Sequence, residues 1–217
     1  MYIIFKFFLL FIIYSFMGWL MEVIVVSIVN HKLSSRGFLI GPVCPIYGVS
    51  VVAMTLLLTR YGDDYFTLFC MSFLICTVIE YSTSIIMEKL FKTRWWDYTQ
   101  KRFNLNGRVC LQNSILFGIL GVFVIKFLNP FIMTFIDKLP NVIFNSLSIT
   151  ILIILLVDIS LSFNVMCKIR GVVSSVRKDC TDEITKNVRE FIQSKSPIYK
   201  RILKAFPNLK STIKFKK

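Results

Sequence analysis

Three carboxylates lie within apolar stretches of this chain, and their positions are the first sign of chemistry. Glu22, Glu80 and Asp158 each interrupt a run long enough to cross a bilayer. An ionisable side chain inside a span costs roughly 2.5–3.5 kcal/mol on insertion scales, so it normally faces the protein interior and finds a partner. At a rise of 1.5 Å per residue, all three lie roughly 12 Å from the same membrane face. The sequence therefore predicts a shared polar site at one level of the membrane.

Two interpretations of these carboxylates remain open. One is a proton, cation or polar-headgroup site that opens to the cytoplasm, and the other is a salt-bridge network that fixes helix packing. Arg36, Arg94 and Arg108 are the expected partners, because a guanidinium can bind a carboxylate bidentately. Helical spacing also predicts two polar faces, Ser15–Trp19–Glu22 and Glu80–Ser84–Glu88.

The segment 94–108 is dense in charges, aromatics and amides, and apolar runs flank it on both sides. Such a segment must lie at a membrane face. Trp95, Trp96 and Tyr98 could stack on a ligand or form an interfacial aromatic belt. Asp97 could act as a general base, or pair with a neighbouring arginine such as Arg94.

Composition indicates a polytopic membrane protein. The 217 residues are 55% hydrophobic and include 21 Phe, and the mean hydropathy is +0.68, which leaves too little polar surface for a soluble domain. We predict an all-α fold with about five transmembrane helices, over 3–29, 45–60, 66–91, 109–128 and 142–166. Asn129-Pro130 is expected to end the fourth. The Gly- and Pro-containing segment 30–48 is expected to be irregular, dipping into the membrane beside the protein core.

The distribution of Lys and Arg predicts that the N-terminus is outside and the C-terminus is in the cytoplasm. Of the 26 basic residues, all lie on the cytoplasmic side of this topology except Lys6, Arg60, Lys126 and Lys138. The positive-inside rule favours that orientation.

Residues 167–217 are predicted to form a separate basic cytoplasmic tail. Ile184, Val188 and Phe191 recur at helical spacing, and Ser196-Pro197 is typical of a second helix start. Each basic residue at a membrane surface gains roughly 1 kcal/mol from anionic lipid. We therefore expect amphipathic helices that bind anionic lipids, and we assign the net charge of +14 to topology and lipid rather than to nucleic acid.

Several classes of site are not predicted. The single histidine, His31, excludes a multi-His metal site. The chain has no P-loop and no G-x-G-x-x-G pattern, so no nucleotide or other cofactor site is predicted. No catalytic triad or Cys/His pair is readable, and no catalytic residue is predicted. Gly41–Cys44 and Gly107–Cys110 share G-x-V-C, which indicates either a parallel repeat of two hairpins or chance.

Five stretches together resemble one known family. They are Tyr14–Glu22, Arg36–Pro42, Pro45–Gly48, Arg94–Tyr98 and Phe103–Arg108. The chain resembles, over roughly residues 1–165, the type IV ABC-transporter-like (CmpB-like) membrane proteins. The resemblance implies a bacterial integral membrane protein of the permease type, in the cell membrane. It also marks as site candidates Glu22, Arg36, Trp96, Asp97 and Asn104.

The leading hypothesis is a permease-like subunit that moves or gates a small polar or lipid solute, with an ATPase subunit in trans. The alternatives are a membrane-embedded enzyme that acts on lipid headgroups and a non-catalytic scaffold or regulator. The substrate- or ion-binding candidates are Glu22, Arg36, Glu80, Arg94, Trp96, Asp97, Asn104, Arg108 and Asp158.

Overall fold

In the computed structural model the chain is mostly helical, and the structure describes residues 2–30, 37–91 and 94–178. Four helices are long and apolar enough to cross a membrane. These observations confirm the predicted all-α, multi-pass architecture. The helices are α1 (Tyr2–Asn30), α2 (Pro45–Leu58), α3 (Tyr65–Phe91), α4 (Leu111–Phe123), α5 (Asn129–Asp137) and α6 (Asn141–Lys178).

The second predicted span is shorter than the others. Helix α2 has 14 residues, which rise about 21 Å, and a 3₁₀ turn, Thr59–Tyr61, extends it. A full crossing of the hydrocarbon core needs about 30 Å. Pro45 begins α2 at a position where its missing N–H breaks no helical bond. Helix α2 is therefore a shorter apolar helix that packs among four longer ones.

The predicted end of the fourth span at residue 128 is wrong. A π-helical turn, Val124–Leu128, joins α4 to α5, and the apolar helix runs from Leu111 to Asp137. The N–H of Asn129 bonds the carbonyl of Val124, five residues back. This wide turn lets the chain pass Pro130, which lacks an N–H, without ending the helix.

The candidate membrane span in α6 is Asn141–Cys167, which agrees with the predicted 142–166, and the helix itself continues to Lys178. The boundary between membrane domain and tail is therefore not a break in secondary structure. The amphipathic helices predicted after residue 179 lie outside the described residues.

Close packing in the α1–α2 and α3–α4 pairs depends on small residues. A Cβ at Gly48 of α2 would clash with Ser15 of α1, and a Cβ at Gly121 of α4 would clash with Ser72 of α3. Ser15 and Ser72 are fully buried. Pairs of this kind let helix backbones approach closely in membranes.

Contacts at opposite ends of the helices define two ends of the bundle. At one end, Lys6 of α1 forms an ion pair of 2.6 Å with Asp137 of α5, and Tyr2 packs on Phe144 of α6. At the other end, Phe91 of α3 packs on Phe163 of α6. The loop 37–44 and the segment 94–110 lie at this second end, which the charge distribution predicts to be cytoplasmic.

The segment 94–110 folds back as a short hairpin. Strands β1 (Asn104–Leu105) and β2 (Val109–Cys110) pair antiparallel. Asn106 and Gly107 between them both have positive φ, the conformation for which Asn-Gly is the preferred pair. Gly107 is required for a second reason, because a Cβ there would lie 2.6 Å from Thr99 and 2.9 Å from Asp97 Oδ1.

Candidate functional site

One face of α3 presents three polar residues to the segment 94–110. The Tyr98 hydroxyl donates to Glu80 Oε1 at 3.1 Å, and Arg108 donates to Ser84 Oγ at 3.1 Å. Arg108 also forms an ion pair of 2.6 Å with Glu88. The predicted Glu80–Ser84–Glu88 face is therefore confirmed, and the loop covers its full length.

Glu80 is the most deeply buried acidic group among the described residues, with a relative exposure of 6%. Its Oε1 accepts the Tyr98 hydrogen bond, whereas its Oε2 is buried and has no hydrogen-bond partner in the part of the chain that the structure describes. Burial, followed by the nearby Glu80 carboxylate, raises the pKa of Tyr98 above its ordinary value of 10.0. Tyr98 therefore remains a neutral hydrogen-bond donor at physiological pH.

The first helix pair supplies a second carboxylate–phenol contact. The hydroxyl of Tyr47, in the first turn of α2, donates to Glu22 of α1 at 3.0 Å. The Tyr47 ring lies directly against Gly18, where a Cβ would clash with it. Helices α2 and α3, which carry Tyr47 and Glu80, contact each other through the sulfur atoms of Met54 and Cys76, which lie 3.9 Å apart. We call Glu22, Tyr47, Glu80 and Tyr98 the paired Glu–Tyr site.

The two G-x-V-C motifs occupy equivalent places beside this site. Cys44 is the N-cap residue of α2 and Cys110 is the N-cap residue of α4, both in extended backbone. Both cysteines are buried and free. Each motif thus ends the connection inside one helix pair, α1–α2 or α3–α4. This supports the predicted resemblance between the two helical hairpins.

Ion pairs form a rim at the predicted cytoplasmic edge of the site. Arg94 lies 3.5 Å from Glu88 and 3.8 Å from Asp97, and Arg108 binds Glu88. We call Glu88, Arg94, Asp97 and Arg108 the ion-pair rim. The expectation that Arg94 and Arg108 would bind the deeper carboxylates is wrong, because the hairpin holds both guanidiniums at Glu88. Arg36 lies outside the described residues.

Two other predicted site residues build the hairpin itself. The Trp96 indole N–H donates to the carbonyl of Arg108 at 2.9 Å. Asn104 accepts from the N–H of Gly107 at 2.9 Å and donates to the carbonyl of Lys101 at 2.8 Å. Asp97 accepts from the N–H of Thr99. These contacts give Trp96, Asp97 and Asn104 a structural part, which leaves their part in binding a prediction.

Asp158 does not join the other two carboxylates as predicted. Its Oδ1 accepts from the backbone N–H of Ile40 and its Oδ2 from that of Gly41, both at 2.9 Å. Ser162, one turn further along α6, also lies within hydrogen-bond distance of Asp158. The carboxylate is occupied because the irregular loop 37–44 has backbone donors that no helix satisfies.

Several contributing residues were not among the predicted candidates. Two of them could have been found from the sequence. Tyr47 lies in the motif Pro45–Gly48, and Glu88 lies at helical spacing from Glu80. A buried cluster nearer the other end had no such signal, since it depends on the π turn: Asn129 accepts from the Tyr14 hydroxyl at 3.3 Å and donates to Thr55 at 2.7 Å.

The described residues contain no group of three or more His, Cys, Asp or Glu side chains that could hold a metal ion. The paired Glu–Tyr site instead offers two carboxylates and two phenols from four different segments. Such a set can bind and release a proton or a small ligand between the two helix pairs.

A family model described as "Putative ABC-transporter type IV" matches residues 9–163. The match covers most of the chain. It includes the α1–α2 and α3–α4 pairs, the segment 94–110 and the ion-pair rim. The chain belongs to this family. Family membership confirms the resemblance that the motifs indicated, and it identifies a membrane protein of a transport-related family. No curated protein and no solved structure showed significant similarity to the chain.

Proposed function

We propose that the chain is a permease-like membrane subunit that moves or gates a small polar or lipid solute at the paired Glu–Tyr site. Glu80 carries the proposal, because it lies within a membrane-length helix, is 6% exposed and has one oxygen without a hydrogen-bond partner. A buried carboxylate costs free energy unless it is compensated. A bound ligand or proton supplies that compensation.

The hydrogen bond to Glu80 comes from the loop and not from a neighbouring span. Tyr98 belongs to the hairpin segment, so a movement of this segment would remove the donor and open the site to the predicted cytoplasmic side. The ion-pair rim holds the hairpin in place through partly exposed contacts. An exposed ion pair is typically worth only about 0.2–1 kcal/mol, which fits the Arg94–Glu88 pair, so the more buried Arg108–Glu88 pair is the main ion pair that an opening movement must break.

The energy source would lie in another subunit. The chain has no P-loop motif of its own, and the family description is that of an ABC transporter. The hairpin is the natural docking surface for an ATPase on the predicted cytoplasmic side. The hairpin exposes two apolar side chains on its first arm, Phe103 (79%) and Leu105 (57%).

Co-purification tests this function. We expect wild-type protein, purified from native membranes in mild detergent, to retain an ATPase in near-stoichiometric amount. Phe103→Ser should reduce that recovery at least about tenfold, as for loss of a central apolar anchor worth roughly 1.4 kcal/mol or more.

The matched control is Tyr61→Ser, which changes an exposed aromatic residue in the α2–α3 connection at the opposite end of the bundle. Recovery with this variant should equal that of wild type. An absence of any ATPase from the wild-type preparation, or equal recovery with the two variants, would contradict the proposal.

A further inference from the structure

We infer that the paired Glu–Tyr site binds a monovalent cation, either an inorganic ion or an organic ammonium group. This inference rests on the proposed function and deepens it by naming the class of ligand. It follows from how charge is distributed between the rim and the deeper site, and from the unpartnered oxygen of Glu80.

The ion-pair rim is balanced in charge. Its two arginines, Arg94 and Arg108, face two carboxylates, Glu88 and Asp97. About 12 Å further along α3, two and a quarter turns from Glu88, the deeper site contains Glu80. Among the described residues, no Lys or Arg forms an ion pair with Glu80.

The groups around Glu80 are neutral or acidic. Tyr98 brings a neutral phenol, and the buried neighbours one turn before and one turn after Glu80 on α3 are Cys76 and Ser84. When it is ionised, Glu80 therefore carries a negative charge that no described Lys or Arg balances through an ion pair. An anion such as a phosphate group would be repelled there, whereas a cation would be attracted.

The geometry at Glu80 suits a ligand with a single positive charge. Oε1 is held by Tyr98, which fixes the carboxylate and leaves Oε2 buried and unpartnered. Phenol oxygens add neutral ligand atoms, and tyrosine rings attract cations through their faces. Divalent ions usually demand six or more oxygen ligands, and the described residues contain no metal-binding cluster of acidic, His or Cys side chains.

The same arrangement explains why the arginines are kept away. The hairpin holds Arg108 on Ser84 and Glu88, one and two turns of helix from Glu80. A guanidinium that reached Glu80 would neutralise it permanently. By binding both arginines at the rim, Glu88 leaves the deeper carboxylate available for an exchangeable cation.

Thermal unfolding of the purified full-length protein in detergent tests the inference. The midpoint would be measured against increasing sodium, potassium, ammonium or tetramethylammonium chloride, with ionic strength held constant by magnesium chloride, whose divalent cation lies outside the proposed ligand class. A ligand that binds only the folded state raises the midpoint with its concentration. We expect at least one of these cations to do so, and the ion that acts separates an inorganic from an organic ligand.

Glu80→Gln keeps the size of the side chain and the acceptor for Tyr98 but removes the charge. We expect it to raise the half-saturating concentration of the active cation at least about tenfold. The control, Asp63→Asn, removes an exposed carboxylate in the α2–α3 connection at the opposite end of the bundle and should retain the wild-type response. Equal responses of wild type and Glu80→Gln, or no response of wild type to any cation, would overturn the inference.

Tyr98→Phe provides a second variant, because it keeps the ring and removes only the hydroxyl that orients Glu80. If Glu80→Gln does not purify as a single species, the same comparison is made with Tyr98→Phe, and the same equality would overturn the inference. The outcome is independent of the ATPase experiment. Cation binding without a co-purifying ATPase would remove the transport proposal alone, and an ATPase without cation binding would remove this inference alone.

Discussion

Asp158 shows that a carboxylate inside a span can serve the backbone and need not form a ligand site. Its two oxygens accept the N–H groups of Ile40 and Gly41, and this contact joins the last helix to the first connecting loop. Cys44, which follows that loop and begins α2, is buried. Burial, with a smaller contribution from Glu22, raises the pKa of the Cys44 thiol to about 12. The contact between Asp158 and the loop thus affects the environment of the Cys44 thiol, which lies three residues along the chain from Gly41.

Asp158→Asn should loosen this loop. An amide offers one acceptor oxygen in place of two. Ile40 also donates to Ser162 Oγ at 3.1 Å, so the N–H that would be left without an acceptor is that of Gly41, at a cost of about 1–3 kcal/mol. Maleimide reacts with the thiolate, and in wild type at pH 8 a pKa of about 12 leaves Cys44 almost wholly protonated and unreactive. As the loop opens, the pKa should fall towards its ordinary value and labelling should rise about tenfold or more.

Peptide-resolved mass spectrometry would measure this labelling, because Cys167 is exposed and also reacts. Ser160→Ala is the matched control. Ser160 lies two residues along α6, is exposed, and bonds only the carbonyl of Leu156 in its own helix. Unchanged Cys44 labelling in Asp158→Asn would show that the loop does not depend on the carboxylate.

Helix packing in each pair depends on glycine facing serine. Gly48 lies against Ser15 and the backbone of Phe11, and Gly121 lies against Ser72 and Met54. Without a hydrophobic driving force in lipid, helix association depends on such close van der Waals contact. The distance between α1 and α2 also determines whether Tyr47 can reach Glu22. The hydrogen bond between these two side chains therefore depends on the Gly48–Ser15 contact.

Gly48→Ala should lower the thermal unfolding midpoint in detergent. The added Cβ clashes with Ser15 Oγ and the Phe11 carbonyl, and overpacking of this kind costs about 1–3 kcal/mol. The intrinsic helix propensity of Ala offsets at most about 1 kcal/mol of this.

Gly62→Ala provides the comparison for this substitution. Gly62 has φ −51°, and a Cβ there meets only the Thr59 carbonyl at 3.4 Å. This variant should unfold within about 0.5 kcal/mol of wild type. A Gly48→Ala protein as stable as the Gly62→Ala protein would show that the α1–α2 contact can relax.

Some of these elements could be read from the sequence and others could not. The apolar runs predicted α1 and α3 within one residue, because length and composition determine a span. Pro130 misled the prediction, since a π turn can accommodate a proline and no sequence pattern reports that turn. Of the three carboxylates predicted to be buried, Glu80 is buried whereas Glu22 and Asp158 are half-buried, and the partners of all three depend on tertiary contacts. No local sequence pattern predicts that the loop 37–44 binds Asp158. None predicts that the hairpin segment places Arg94 and Arg108 on Glu88.

Contacts at the two ends of the molecule are consistent with one arrangement of the chain in the membrane. Lys6, Asp137 and Phe144 meet at one end, and the loop 37–44 and the hairpin lie at the other. The end with the hairpin is also the end predicted to be cytoplasmic from the 26 Lys and Arg residues. The exposed side chains of the hairpin, Phe103 and Leu105, and the opening of the paired Glu–Tyr site would then face the same compartment.

Topology mapping tests this orientation. Single reporter insertions at Phe103 and after Lys178 should report a cytoplasmic location, and insertions at Gly62 and Lys138 should report an external one. The physical reason is the membrane potential and leaflet charge, which retain positively charged segments inside. The reverse pattern, or the same side for Phe103 and Gly62, would contradict the orientation.

The contact between Asp158 and the loop 37–44 also has a consequence for how the protein is made. The two partners are separated by 118 residues, and a chain is synthesised from its N-terminus. The first loop therefore remains with unsatisfied amides while four helical segments enter the membrane, and only arrival of α6 completes it. We expect products truncated before α6 to be recognised as incomplete and degraded, which would keep half-built sites from accumulating in the bilayer.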